Sequence, residues 1–206
     1  MAAVILGLST VLALWASSWI DSLYQREKEI LTFPRKVRAS AFRLPLLILG
    51  FWFMAVYLAG ERMELYELLK RLILAYFLLM TMVTDLEQQL IFDRMQLPFA
   101  ILALPFLGLT GQAAAHLLAA LAGGGIFLLL SILMGGAIGG GDIKLMFVLG
   151  LWLGAEPLLA IAMGGFLLSG LVALVMLGTG RWKRDERFAY SPYFSLMALS
   201  FLLMAR

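Results

Sequence analysis

Long apolar runs separated by short polar breaks dominate the chain, and the runs are continuous rather than alternating. Alternation would mark strands, whereas continuous runs of about 20 residues mark helices able to cross a bilayer. Eight runs are legible: Ala2 to Ile20, Leu44 to Gly60, Leu65 to Thr84, Leu97 to Thr110, Ala113 to Met134, Ile143 to Gly154, Leu158 to Leu177 and Ser191 to Met204. The expected fold class is all-α, a polytopic integral membrane protein of about eight transmembrane helices. A β-barrel is not expected, because its strands alternate. The fourth and sixth runs are short for a crossing, and each follows a polar stretch holding an acidic residue. A recessed pocket open at one membrane edge accounts for both. Residues 1–43 form a first helix and a basic loop, and residues 44–206 form the membrane-embedded core.

Charge adds direction. Eight spans put alternate breaks on one side, so 21–43, 85–96, 135–144 and 178–190 share a face. That face carries twelve of the 16 Lys and Arg residues, among them Arg35, Lys36, Arg38 and Arg43 in the first loop and Arg181, Lys183, Arg184 and Arg187 in the last. An excess of Lys and Arg marks the cytoplasmic side. Asp85 and Asp142 then both fall at the cytoplasmic membrane edge. No basic residue precedes the first apolar run, so it is expected to be retained rather than cleaved as a signal peptide.

Composition narrows the chemistry. The chain is 63% hydrophobic and 14% charged, as a membrane protein is. It has no Cys, which excludes disulfides, a thiolate nucleophile and thiolate metal sites. His116 is its single His, so a His metal cluster or a Ser-His-Asp triad is hard to build. No metal and no cofactor are expected. The net charge of +3 gives no reason to expect nucleic acid, and the lipid bilayer is the expected surrounding.

Gly139-Gly140-Gly141-Asp142-Ile143-Lys144 sets charges at the edge of an apolar run, which points to function. Asp142 reads either as an N-cap or as an active carboxylate, and the two roles are compatible. The glycines permit close approach to the backbone and positive φ. Asp85 ends an apolar run. It reads as a solvated helix terminus or as a desolvated carboxyl favoured protonated by the negative helix end. Two such carboxyls in one recessed site form an acid–base pair, Asp142 mainly the base and Asp85 mainly the acid, titrating jointly. Glu87 and Asp93 lie in the following polar stretch and are expected to be solvated, with Asp93 the substitute for Asp85. Lys144 reads as a surface cation, as a counter to the negative potential of the pair, or as a contact for an acidic substrate residue. His116 is expected to be packed near the opposite face.

These segments carry a resemblance. Gly139-Gly140-Gly141-Asp142 fits a GxGD signature, with Gly139 and Gly141 at its glycine positions, and Gly-Asp-Ile-Lys-Leu fits a longer GD-x-K pattern. Thr84 to Asp93 and Ser191-Pro192-Tyr193 complete a set that resembles the type IV prepilin peptidases from about residue 44 onward. The resemblance implies a membrane aspartic protease that uses Asp85 and Asp142. It implies cleavage of the basic leader from prepilins or pseudopilins at the cytoplasmic face of a bacterial inner membrane. Larger relatives carry a Cys-rich domain after the first helix and also methylate the product. The Cys-free loop 21–43 occupies that place here, so a peptidase without methyltransferase activity is expected. Phe92 stands where the family usually has Pro. Two other readings stay open: a presenilin-like or signal-peptide-peptidase-like protease, although the Pro-Ala-Leu triplet of that class is missing, and a small ion- or proton-coupled transporter.

Overall fold

The computed structural model describes residues 2–34, 40–180 and 189–204. Arg35, Lys36, Arg38, Arg181, Lys183, Arg184 and Arg187 lie outside the described residues. Among the described residues there are eight α-helices and no strand: α1 (Ala2–Arg26), α2 (Arg43–Gly60), α3 (Leu65–Gln88), α4 (Asp93–Thr110), α5 (Ala113–Leu133), α6 (Gly140–Leu153), α7 (Ala155–Gly178) and α8 (Ser191–Met204). A short 3-10 turn, Lys28–Ile30, follows α1.

Four of these helices, α1, α2, α5 and α7, are long and apolar enough to cross a membrane. That is fewer than the eight spans expected. α3 carries charges at both ends, and α4 opens on a polar turn. α6 and α8 have 14 residues each. That gives about 21 Å of helix against a hydrocarbon core of about 30 Å.

Helix ends also differ from the apolar runs. α1 continues six residues past Ile20, and α4 begins at Asp93 rather than Leu97. Hydropathy does not register these turns, because polar side chains extend a helix once tertiary partners hold them. The three glycines are not a break either. Gly140 and Gly141 are helical, Gly139 is the N-cap with φ −67°, and the positive-φ glycines of this region are Gly135 and Gly136.

α3 is the central helix. Every residue from Leu74 to Thr81 is buried, which a helix shows only when protein surrounds it. It can therefore hold ionisable groups away from lipid. Leu133, Leu167 and Leu174 of α5 and α7 remain exposed, as a lipid-facing surface requires. α5 and α6 share the most extensive interface, and small residues bring their backbones together. A Cβ added at Gly150 would stand 2.5 Å from the Ala120 Cα.

The helices alternate in direction. One end of the bundle joins the C-termini of α1 and α3 to the N-termini of α2 and α8, through Tyr24, Glu87, Arg43 and Ser191. At the other end Arg71 of α3 donates to Leu202 O of α8. There too His116, buried as expected, meets Leu151 O at 2.8 Å. A carbonyl only accepts, so Nδ1 of His116 carries the proton.

Candidate active site

Asp85 lies in the last turn of α3 and is 5% exposed. The helix ends at Gln89, which adopts φ 50° and donates its N–H to Asp85 O. The carboxyl does not face solvent. Its Oδ2 accepts the backbone N–H of Ser191 at 3.0 Å. Ser191 is the first residue of α8, so the positive end of α8 meets a carboxyl carried near the negative end of α3. One turn further in, Thr81 and Ser195 hydroxyls lie 3.3 Å apart and hold the two helices in register.

Asp142 is 8% exposed and occupies the first turn of α6, three residues after its N-cap. It is therefore not the cap that its sequence context suggests. Its side chain reaches back to the Gly139 N–H, while its own N–H donates to Gly139 O at 3.1 Å. This is the N3 half of a capping box, since glycine at the cap has no side chain to complete the other half. The second oxygen, Oδ1, is buried without a partner among the described residues.

Asp85 lies within range of the charge of Asp142. Tyr190, the residue before Ser191, also lies within range of Asp142. Each carboxyl accepts one backbone N–H, and each is served by a helix N-terminus. Hydrogen bonding alone therefore does not divide them into a base and an acid as the sequence context does.

Of the three glycines Gly141 serves close packing, whereas a Cβ added at Gly140 would meet nothing within 4 Å. A Cβ at Gly141 would stand 3.1 Å from that of Ile91, so the α3–α4 connection lies against the start of α6. Gln96 of α4 adds a bond from Nε2 to Gly141 O at 3.1 Å.

Lys144 and Asp93 form an exposed ion pair, with Nζ 2.6 and 2.7 Å from the two carboxylate oxygens. Asp93 is solvent-facing as expected, and the structure joins it to Lys144. Glu87 was expected to be solvated, yet its side chain is only 5% exposed. It accepts bonds from Arg43, Tyr24 and Ser40. Arg43 is fully buried and also bonds Asp21. The cause is tertiary: α1, the approach to α2 and the end of α3 close over these charges. Beside them, Gln88 accepts the Phe33 N–H at 3.0 Å. The segment after α1 is thus fastened to the two residues that follow Leu86. Glu87, Arg43, Gln96 and Ser191 were not singled out as site residues by sequence reasoning. Only Ser191 left a signal there, through the Ser191-Pro192-Tyr193 motif.

No curated protein and no solved structure gives a significant match to the chain. A family model does match: it describes the type IV leader peptidase family and covers residues 72–177, more than half of the chain, with both buried carboxyls inside it. An all-helical bundle with membrane-spanning helices and two buried carboxyls is consistent with that match, and the chain belongs to the type IV leader peptidase family.

Proposed function

We propose that this peptidase cleaves the basic leader from prepilins or pseudopilins at the cytoplasmic face of a bacterial inner membrane, with Asp85 and Asp142 as its catalytic pair. The observation that carries the reading is the pairing itself. Two buried carboxyls from distant parts of the chain share one site, and one oxygen of Asp142 is left without a partner. A water molecule bound between them would meet an acceptor on one side and a donor on the other, provided that the pair holds one proton. The ionised carboxyl takes a proton from the water as its oxygen attacks the scissile carbonyl carbon. The protonated carboxyl gives its proton to the carbonyl oxygen. Collapse of the tetrahedral intermediate then breaks the C–N bond, and a proton passes to the leaving amine. The substrate's apolar helix stays in lipid, and its leader projects from the end of the bundle that holds the pair.

Mass spectrometry of a prepilin N-terminus after incubation with purified enzyme reads the cut and any added methyl group together. The expected product is the leaderless, unmethylated chain. Asp85→Asn and Asp142→Asn should each abolish its formation. Processing that survives in both variants would refute the mechanism.

A further inference from the structure

Among the described residues, four buried side-chain polar atoms lack a partner: Tyr76 OH, Gln96 Oε1, Asp142 Oδ1 and Ser191 Oγ. Buried polar atoms are nearly always paired, so each orphan calls for an explanation. Three of the four belong to residues at or beside the carboxyl pair. Gln96 differs from the others because it also lines a groove. The groove runs between α4 and α6 and holds about 420 Å³. Leu97, Ala100, Phe147 and Val148 form its apolar wall, and the Asp93–Lys144 pair stands at its rim.

Gln96 is 3% exposed, and its Nε2 donates to Gly141 O. That bond settles the orientation of the amide, because a carbonyl cannot donate. The planar amide therefore turns Oε1 away from Gly141, toward no described donor. Gly141 immediately precedes Asp142. One side chain thus links the groove to the backbone that carries a carboxyl of the pair.

We infer that Gln96 binds the backbone of the substrate, its Oε1 accepting a peptide N–H from a segment lying extended along the α4–α6 groove beside the cleaved bond. The inference rests on reading Asp85 and Asp142 as the catalytic pair. A helical substrate has its N–H groups occupied by its own carbonyls. Cleavage requires it to unwind, and unwound backbone at the membrane edge must find its partners in protein. Gln96 lines the apolar groove with its Oε1 covered, so a substrate that uncovers this acceptor as it seats has that need met. A lipid acyl chain has no donor to offer it, which is why the occupant is a polypeptide. The apolar wall takes the substrate's side chains.

The test uses the purified full-length enzyme and synthetic peptides with a basic leader followed by an apolar helix. Each amide flanking the cleaved bond is replaced in turn by an ester, which keeps the carbonyl and removes the N–H. For the wild type, one ester position should raise KM about tenfold with kcat nearly unchanged, the loss of one hydrogen bond used in binding. Gln96→Met should raise KM on the all-amide peptide and be indifferent to that same ester. Gln96→Met also loses the bond to Gly141, so its kcat falls as well, and the ester peptides isolate Oε1. Gln96→Leu replaces it should the Met variant fail to fold. A wild-type enzyme equally tolerant of every ester overturns the inference without any variant, as does a variant still fully sensitive to the same ester. Asp85→Asn and Asp142→Asn are assayed on the same peptides. Inactive Asp variants with a flat ester scan remove the role of Gln96 alone. Asp variants that still cut, or a wild type that leaves every peptide uncut, remove the catalytic reading and Gln96 with it.

Discussion

At the scale of single residues, Ser191 separates two contributions that share one position. Its backbone N–H holds Asp85, while its hydroxyl is buried without a partner. Ser191→Ala keeps the first and removes an unsatisfied group, so folding should be unharmed and leader cleavage little changed. Ser191→Pro removes the N–H. Proline is tolerated in the first turn of a helix, so α8 itself should survive. Asp85 would then lose its donor at a cost of about 1–3 kcal/mol, the usual penalty for an unmet buried acceptor. Thermal unfolding in detergent together with peptide cleavage should therefore rank wild type with Ser191→Ala, and both well above Ser191→Pro. Equal behaviour of the two variants would mean that the Ser191 N–H does not support Asp85. Asp85 stood out in the sequence because a carboxyl at the end of an apolar run is costly. Its partner did not, because Ser191 lies 106 residues away and contributes a backbone atom. No side-chain pattern encodes such a contact.

At the scale of elements, apolar runs predicted all eight helices but located their ends poorly where tertiary contacts decide. The reason is plain at Arg43 and Glu87, both of which read as loop charges. In the folded chain Arg43 is fully buried, and its Nε lies 3.0 and 3.1 Å from the two oxygens of Glu87. Glu87 also receives Tyr24 from α1 and Ser40 from the approach to α2. One carboxylate therefore fastens three elements to the end of α3, two residues from Asp85. A buried ion pair is a poor source of net stability, but removing one partner strands the other. Glu87→Gln should cost about 3–5 kcal/mol, toward the lower figure because Asp21 still holds Arg43. Arg43→Met with Glu87→Met should cost less than either single substitution, since the one charge left behind, Asp21, is 44% exposed and can be solvated. The midpoints of thermal unfolding for wild type, Glu87→Gln, the two single Met variants and the double variant give the comparison. If the double variant is the least stable, the network stabilises the fold through the charge pair itself. The glycine stretch teaches the same lesson at smaller range. The sequence offered Asp142 as a cap and Gly139 to Gly141 as a break. The structure makes Gly139 the cap and Asp142 the third helical residue, because the backbone of Gly139 exchanges bonds with it in both directions.

At the scale of the whole molecule, alternation of the helices places both carboxyls, the Asp93–Lys144 rim and the buried Arg43 network at one end of the bundle. Twelve of the 16 basic residues fall in the sequence breaks assigned to that end. The positive-inside rule then predicts that this end faces the cytoplasm. This prediction rests on counting charge between helices, four of which are long and apolar enough to span. The chain offers a clean way to check it, because it contains no Cys and any introduced thiol is the only one. Arg94 and Thr179 are exposed at the end that holds the carboxyl pair, and Glu61 and Ala113 are exposed at the other. In intact spheroplasts a membrane-impermeant maleimide should label Glu61→Cys and Ala113→Cys. Arg94→Cys and Thr179→Cys should react only after the membrane is opened. The opposite pattern would put the carboxyl pair outside the cell, where a leader held in the cytosol never reaches it, and the proposed substrate would fall with the orientation. Labelling of all four thiols in sealed membranes would instead show that the polar face is reached through the protein. The short helices α6 and α8, which begin beside the pair, make that the informative alternative.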